Sequence, residues 1–432
     1  MTKSSSLSQI VLNPSCMDDY DPNSMPVAKA RQFIKQFLNP VQETETLPLR
    51  DSLGRVLAAD VLSPANVPNY DNSAMDGYAF NADDINLDKP TNLIVIGTAF
   101  AGKTFENEVK RGECVRIMTG SMMPKGADTV IMQERVTLVD NRIIFTEAPK
   151  HKINVRYAGE DLQKGQTVLA AGHMMRAADL GLIASLGLAE VSVFRKLKVA
   201  FFSTGDELAS VGEPLKTGQV YDSNRYTLYG MLSRLGVEII DMGAIADDPE
   251  LLENTLLAAS NLADVVITSG GVSVGEADYM KLLLAKHGQV VFWKVAMKPG
   301  RPLAYGKIQG SKTKSAHYFG LPGNPVAVMV TFYQFVREAM LVLMGQPNPA
   351  PLAMFKVECT ESIKKQTGRT EFQRGILFAA ADGAWKVKPT GAQGSAILSS
   401  MSLANCFIVL DETVGNLEAG AMVQVQVLDG IV

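Results

Sequence analysis

The chain has 432 residues, of which 47% are hydrophobic and 20% charged, and its formal net charge is -4 at pH 7. This composition is typical of folded globular proteins, and the length suggests about three domains. The near balance of charge argues against a broad surface for nucleic acid or for an anionic membrane. The four cysteines are widely spaced and the four histidines do not cluster, which disfavours zinc and disulfides and favours a reducing cytoplasm.

Two segments are relevant to targeting. Residues 1–25 contain a short apolar run followed by acids, so they resemble a flexible leader rather than a secretory signal. The richest apolar stretch, residues 174–194, contains Arg176, Asp179 and Glu190, which argues against a membrane span. We therefore expect a soluble cytoplasmic protein.

The first half of the chain alternates between helical and β-type patterns. Helical spacing at 26–38 and again at 176–188 encloses a region of short β-type runs separated by Gly, Pro, Asn and Asp. We predict an N-terminal part made of residues 1–61 and 159–197, with a small β domain, residues 62–158, inserted between them.

Residues 198–346 alternate apolar strands with amphipathic helices, which predicts a doubly wound, mainly parallel sheet covered on both faces. The helix boundaries carry typical residues. The predicted C-terminal glycines are Gly236, Gly288 and Gly345, and the predicted caps are Asp248 before Pro249 and Asn324 before Pro325. Residues 347–432 return to short strands and predict a small β-barrel or sandwich. The predicted fold class is therefore multidomain α/β plus β.

Unusual loops follow the strands of the predicted sheet. They are TGDEL (204–208), IADDP (245–249), GGVSVGEAD (270–278), KPGRP (298–302) and GLPGNP (320–325). In open α/β sheets, ligands bind beyond the carboxyl ends of the strands, so we expect these loops to form one composite site.

The glycine loop and its acidic neighbours predict a phosphate site with a cation. An isolated pair such as Gly270 and Gly271 is more often a plain turn, but bare backbone before a helix N-terminus also suits an anion. Several acids share this predicted edge and would repel phosphate unless a divalent cation lay between them. They are Glu207, Asp247, Glu276 and Asp278, although Glu276 is also explained by the helix dipole. Carboxylates with phosphate oxygens suit Mg²⁺, which predicts a phosphate ester or anhydride as ligand.

Cations surround the stiff Pro-Gly bend that follows. Lys294, Lys298 and Arg301 are close in sequence and suit a multiply charged oxyanion, although each alone is also explained as a solvated residue. Four further candidates lie outside the sheet domain, where the pattern alone does not place them in the pocket. They are Asp76, Thr119, Arg374 and Ser395.

Seven motifs in this order resemble the MoeA family of molybdopterin molybdenumtransferases, which is related to the E domain of gephyrin. They are DNSAMDGYA, RIMTG, FSTGDEL, GGVSVGEADY, KPGRP, LPGNP and QGS. The resemblance implies a four-part elongated subunit with a C-terminal β-barrel and a homodimer whose active cleft takes parts from both subunits. It also implies the reaction: adenylylated molybdopterin and molybdate give molybdenum cofactor and AMP, with Mg²⁺ required.

The resemblance assigns roles position by position. Catalytic positions are Asp278, Ser273, Glu207, Asp76 and Thr119, with Asp278 and Glu207 as metal ligands. Substrate-binding positions are Gly270, Gly271, Asp247, Lys294, Lys298, Arg301, Pro322, Asn324, Pro325, Arg374 and Ser395. Arg301 stands where many members have lysine, so a planar fork replaces a point donor at the oxyanion site.

Two other functions share features of this sequence. A molybdopterin adenylyltransferase would have a similar glycine-loop domain, and a gephyrin-like scaffold would have a similar fold without catalysis. The β modules, KPGRP and QGS favour molybdate insertion, and the full set of acids favours catalysis. The enzyme that adenylylates molybdopterin and the molybdoenzymes that receive the cofactor are candidate partners, and neither nucleic acid nor membrane is expected.

Overall fold

The structure, a computed structural model, describes residues 25–86, 88–271, 277–310 and 314–428. The chain divides into two units. The first takes the described parts of Met1–Glu45, Gly54–Val56 and Val193–Val432, and the second takes those of Thr46–Leu53 and Leu57–Ser192. The four-part division expected from the sequence remains a prediction.

The helices are α1 Val27–Lys35, α2 Ala177–Ser185, α3 Ser223–Leu235, α4 Pro249–Leu262, α5 Ala277–His287, α6 Pro325–Thr331, α7 Arg337–Leu343 and α8 Leu398–Leu403. The strands are β1 Thr44–Pro48, β2 Val61–Leu62, β3 Asn72–Ser73, β4 Gly77–Phe80, β5 Thr91–Ala99, β6 Glu113–Ile117, β7 Thr129–Met132, β8 Thr137–Val139, β9 Arg142–Phe145, β10 Val155–Arg156, β11 Thr167–Leu169, β12 Glu190–Phe194, β13 Lys198–Thr204, β14 Leu208–Ala209, β15 Val220–Tyr221, β16 Glu238–Ile245, β17 Val265–Ser269, β18 Gly288–Lys294, β19 Met297–Lys298, β20 Pro302–Gln309, β21 Ser315–Leu321, β22 Met354–Cys359, β23 Thr370–Ala379, β24 Trp385–Pro389, β25 Cys406–Leu410 and β26 Met422–Val427.

The first unit is built on a six-stranded sheet of order β16-β13-β17-β21-β20-β18. Strands β16, β13, β17 and β21 are parallel neighbours, and β20 is antiparallel to both β21 and β18. Apolar side chains of the strands and helices form its core, among them Phe202, Leu256, Val266, Leu284 and Tyr318. The predicted mainly parallel α/β sheet is confirmed.

One long apolar helical stretch belongs to this core. Helices α6 and α7 are joined by the π-helical turn Phe332–Val336, and the stretch Pro325–Leu343 is long and apolar enough to span a membrane. However, 78% of its most apolar window is buried inside the protein. It is therefore a core helix.

The C-terminal strands of the first unit close into a barrel. The ladder runs β23-β24-β22-β26-β25, and the pairing of β25 with β23 closes it around a core that includes Val357, Val387, Ile408 and Val425. Between barrel and sandwich, the structure therefore selects the barrel. Strand β19 extends from the α/β region and pairs in parallel with β23, so Lys298 lies opposite Glu371.

The second unit contains the predicted small β domain. Its main sheet has the order β7-β4-β6-β5-β9-β8, with a core that includes Phe80, Cys114, Ile143 and Phe145. Gly77 lies within this sheet where a Cβ would come 2.0 Å from the carbonyl oxygen of Ile131, so only glycine fits there. Its neighbour Asp76 directly precedes β4 and is exposed.

Candidate functional site

The strand directions bring the five predicted loops to one edge of the sheet. The parallel strands β13, β16, β17 and β21 all end there, and two antiparallel pairings return β18 to the same direction. The KPGRP turn connects the end of β18 to the start of β20 at this edge. The sheet topology therefore supplies the geometry that a composite site needs.

A small pocket of about 70 Å³ lies at the glycine loop. Its walls are Thr204, Glu207, Leu208, Asn224, Ser269, Gly270, Gly271 and Gly323. The side-chain amide of Asn224 donates to Ser269 Oγ and to the carbonyl oxygen of Gly323, both at 2.7 Å. Within the described residues, Thr204 Oγ1 and Asn224 Oδ1 are buried and have no hydrogen-bond partner. The pocket thus presents two buried oxygen atoms that a ligand or cation would satisfy.

The two glycines are required by close backbone packing. Gly270 has φ +92°, and a Cβ there would approach the carbonyl oxygen of Thr204 to 2.6 Å. Gly271 has φ +66°, and its Cβ would lie 3.0 Å from Met280 Cγ. The Gly270 N–H donates to the carbonyl oxygen of Leu321, so this amide takes part in the sheet rather than facing a ligand.

The acids at this edge have different local roles. Glu207 is exposed and lines the pocket. Asp206 Oδ1 accepts a hydrogen bond from the N–H of half-buried Asp247 at 3.0 Å, which fixes the loop after β16. Asp248 Oδ1 accepts from Leu251 N, as predicted for a helix cap. Ser273, Glu276 and the side chain of Asp278 lie outside the described residues.

The pocket at the glycine loop offers a small set of oxygen donors to a cation. The described residues contain no group of three or more His, Cys, Asp or Glu side chains placed to hold a metal ion. However, the Glu207 carboxylate and the unpartnered oxygens of Thr204 and Asn224 are hard ligands at one pocket. Because Mg²⁺ is usually held by one or two carboxylates together with substrate phosphates and water, these residues fit that ion.

A second cavity of about 320 Å³ adjoins the first along the edge. Its walls are Met297, Lys298, Pro299, Gly300, Arg301, Pro302, Pro322, Gly323, Asn324, Ala327, Arg369, Gln393, Gly394 and Ser395. Gly323 lines both cavities. The larger cavity thus combines the KPGRP turn, the loop before α6 and the QGS loop of the C-terminal region. Three cationic residues line it, namely Lys298, Arg301 and Arg369.

Neighbouring residues shape this cavity. Gly300 has φ +93° and packs so closely that a Cβ would lie 2.6 Å from Thr331 Cγ2. The carbonyl oxygen of Ser395 accepts a hydrogen bond from Val326 N in the first turn of α6. Pro325 is the first residue of α6, and Asn324 is its N-cap residue without a side-chain capping bond. Asn324 therefore occupies the predicted N-cap position, but its side chain does not make the predicted capping hydrogen bond.

Two predicted cations lie apart from the cavity wall. Lys294 is exposed at the end of β18, opposite Pro302, and does not line the cavity. Arg374 is buried, and its guanidinium donates to Ser400 Oγ and to the carbonyl oxygen of Gly394, both at 3.0 Å. Burial lowers the pKa of Arg374 to about 10. The structure thus places Arg374 behind the QGS loop, where it holds that loop's backbone.

Asp76 and Thr119 meet in the second unit. Asp76 Oδ1 accepts hydrogen bonds from both the N–H and the Oγ1 hydroxyl of Thr119, each at 2.7 Å. These bonds, with a smaller contribution from Arg116, lower the pKa of the exposed Asp76 carboxyl. The structure therefore joins two residues that are 43 positions apart and that the sequence pattern alone left separate.

Sequence reasoning missed several residues at these cavities. Arg369 and Gln393 line the larger cavity, and Thr204 and Asn224 line the smaller one. Asn224 lies in the first turn of α3, shortly after the end of β15, so its position in the chain is a local signal for a polar residue at the edge of the sheet. Arg369 reaches the site only through the pairing of β19 with β23, which no local pattern indicates.

Comparison with known proteins gives a consistent result along the chain. Family models match the MoeA N-terminal region (domain I and II) at residues 25–187, a probable molybdopterin binding domain at 200–341 and the MoeA C-terminal region (domain IV) at 356–428. A molybdopterin molybdenumtransferase of Haemophilus influenzae is 47% identical over 396 residues, covering 91% of this chain and 96% of the relative.

Two more distant proteins also match. Gephyrin of Dictyostelium discoideum is 34% identical over 450 residues, covering 93% of this chain and 62% of gephyrin. The crystal structure of a molybdopterin biosynthesis MoeA protein from Pyrococcus horikoshii superposes with a TM-score of 0.79 at 30% identity, covering 94% of this chain and all of that protein. The similarity therefore extends over both units.

Proposed function

Because the chain belongs to the MoeA family of molybdopterin molybdenumtransferases, transferases of molybdenum cofactor biosynthesis, we propose that it inserts molybdate into adenylylated molybdopterin. The products are molybdenum cofactor and AMP. Water adds to one phosphorus of the phosphoanhydride as the P–O bond of the bridging oxygen breaks. Two molybdate oxygens leave as water when the dithiolene sulfurs bind the metal, with two protons from the dithiol and two from solvent.

The adjoining cavities are the observation that carries this proposal. One cavity has the glycine loop and Glu207, and the other has Lys298, Arg301 and Arg369, while Gly323 belongs to both walls. A ligand with a pyrophosphate in the smaller cavity would therefore present its remaining part beside an oxyanion in the larger one. Such an arrangement favours a reaction between the pyrophosphate ligand and the oxyanion, because the protein fixes the positions of both anions and offsets their negative charges.

The chain's own residues are proposed to bind and orient the two substrates. The cations of the larger cavity would hold the tetrahedral molybdate dianion, and the Ser395 loop forms another part of the cavity wall. Glu207, Thr204 and Asn224 would hold Mg²⁺ and the groups bound to it, with Asp278 as a further metal ligand expected from the family resemblance. Mg²⁺ would supply charge neutralisation at the pyrophosphate when bound.

The test is AMP release and cofactor formation by the purified protein given adenylylated molybdopterin. We expect both products with molybdate and Mg²⁺, and neither when molybdate is omitted or EDTA removes the divalent cation. A folded protein that leaves adenylylated molybdopterin unchanged under the complete conditions would refute the proposal. A matched reaction with molybdopterin and ATP tests adenylylation, the rival activity, which the matches outside the α/β region do not favour.

We also propose a cytoplasmic homodimer whose cleft takes parts from both subunits, and contacts with the adenylylating enzyme and recipient molybdoenzymes. Sedimentation gives the oligomeric state. Mixing inactive Asp76→Asn and Lys298→Gln subunits tests the shared cleft, because a mixed dimer would then contain one intact site. If mixing restores no activity although mixed dimers form, each cleft belongs to one subunit.

A further inference from the structure

A buried carboxylate lies directly behind the cation-lined cavity. Glu371 is 3% exposed, and its Oε1 lies 3.5 Å from the Nζ atom of Lys298, which lines the cavity. The parallel pairing of β19 with β23 sets these two residues opposite each other. The same carboxylate accepts a hydrogen bond at Oε2 from Gln373 Nε2 at 3.0 Å. Both oxygens of Glu371 thus have a defined partner.

This placement puts a negative charge close to a cavity that is proposed to bind anions. A carboxylate that is nearly excluded from water interacts strongly with neighbouring charges because little solvent screens it. It attracts the half-exposed Lys298 ammonium at the cavity wall, while its repulsion acts on any anion that enters. The repulsion grows in proportion to the charge of that anion, so a dianion is affected about twice as much as a monoanion.

We propose that Glu371 is a built-in counter-anion that positions Lys298 and weakens the binding of oxyanion dianions in the cavity. The inference rests on the proposed oxyanion role of this cavity. The cavity would then hold molybdate reversibly, so that the metal leaves it readily for the dithiolene sulfurs. Without Glu371 the cations would bind the free dianion more tightly.

The test measures equilibrium binding of two tetrahedral probes, tungstate as a dianion and perrhenate as a monoanion, by isothermal titration calorimetry. The variant Glu371→Gln keeps the shape of the side chain and one accepting oxygen but removes the charge, and its amide nitrogen no longer accepts from Lys298 or Gln373. We expect tungstate to bind about tenfold more tightly and perrhenate about threefold more tightly. Unchanged or weaker tungstate binding, or equal factors for the two probes, would overturn the inference.

Two further variants make the result specific. Glu371→Asp keeps the charge, and its tungstate affinity should stay within about threefold of the unmodified protein. Glu371→Asp also tests the inference if Glu371→Gln does not fold. Because Glu371→Asp keeps the negative charge, tighter tungstate binding by this variant would contradict an effect of charge. Glu358→Gln removes another glutamate of the barrel that pairs with a lysine, Lys386, and should leave both affinities unchanged. If the unmodified protein binds no tungstate, the proposed oxyanion role fails, which is a different outcome from failure of Glu371 alone.

Discussion

The guanidinium of Arg374 holds the QGS loop through the carbonyl oxygen of Gly394, to which Nη2 donates at 3.0 Å. The same group donates to Ser400 Oγ, and the Arg374 backbone exchanges hydrogen bonds with the Gln393 side chain. The residue is 1% exposed, so these bonds are shielded from water. Arg374 therefore acts on the cavity by fixing the backbone that precedes Ser395.

Arg374→Gln should loosen this loop and weaken oxyanion binding indirectly. We expect a loss of about 2 to 4 kcal/mol in the free energy of unfolding, because buried carbonyl oxygens lose their donors. Tungstate affinity should fall about tenfold or more, with faster amide hydrogen exchange in residues 392–395. Ser400→Ala, which removes one acceptor of the guanidinium, should have a smaller effect on each measurement. If exchange in the loop stays slow while binding is lost, Arg374 instead contacts the anion directly.

The sequence predicted the α/β region well because its signals are local. Apolar runs ending in polar loops located the ends of β13 and β17, and alternation of strands with helices then implied that these loops share an edge. Gly288 directly follows α5, which ends at His287, as predicted, but its φ is not in the left-handed region. It begins β18, where a Cβ would lie 2.5 Å from the carbonyl oxygen of Lys307, so packing against β20 rather than helix termination requires it.

The cation-lined cavity was less predictable because it depends on pairing between distant segments. Lys294 is close to Lys298 in sequence, but the strand direction leaves Lys294 away from the cavity wall. Arg369 and Glu371 reach the site through two residue pairs between β19 and β23. Sequence spacing around the KPGRP turn contains no information about this long-range register.

Gly270 and Gly212 allow a comparison of backbone strain with steric collision. Both have positive φ, +92° and +98°, but a Cβ at Gly212 would meet no atom within 4 Å. Gly212→Ala should therefore reduce the free energy of unfolding by about 1 kcal/mol from backbone strain alone. Gly270→Ala should cost at least about 2 kcal/mol more, because its methyl group collides with the carbonyl oxygen of Thr204. Urea unfolding of both variants checks this, and equal losses would show that the β13 end moves aside freely.

Arg195 and Asp264 form a paired contact within the first unit. Arg195 donates from Nη1 and Nη2 to the two carboxylate oxygens at 2.7 and 2.9 Å, and Lys198 N donates to Asp264 at 2.8 Å. Burial favours a higher pKa for Asp264, but these hydrogen bonds outweigh it and hold the pKa below its ordinary value. The ionised carboxylate is therefore the form that stabilises the fold.

Asp264→Asn should destabilise the first unit by about 2 to 4 kcal/mol near neutral pH, because Arg195 loses the more buried of two anionic partners and keeps only the exposed Glu43. A lowered folded-state pKa contributes stability above the unfolded-state pKa of about 3.9, and that contribution disappears as pH falls through the folded value. The variant should therefore show less loss of stability on acidification below about pH 4. Glu238→Gln, which breaks a more exposed pair with Lys198, should change stability by less than about 1 kcal/mol. Equal effects of the two variants in urea titrations would contradict the role of burial.

Thr119→Val should raise the pKa of Asp76 but leave it below its ordinary value. The substitution removes the hydroxyl donor and retains the backbone N–H donor, which is the larger cause of the lowered pKa. Asp411 provides a matched control because Thr413 donates to it in the same way, from its N–H and its Oγ1 at 2.9 and 2.8 Å. Carboxyl NMR titration should show that Thr119→Val changes the pKa of Asp76 alone and that Thr413→Val changes the pKa of Asp411 alone. Since the ionised Asp76 carboxylate is the stronger acceptor of both bonds, the Thr119 contact stabilises the fold above the Asp76 pKa and weakens on acidification through it. An unchanged Asp76 pKa in Thr119→Val would show that the hydroxyl does not stabilise the carboxylate in solution.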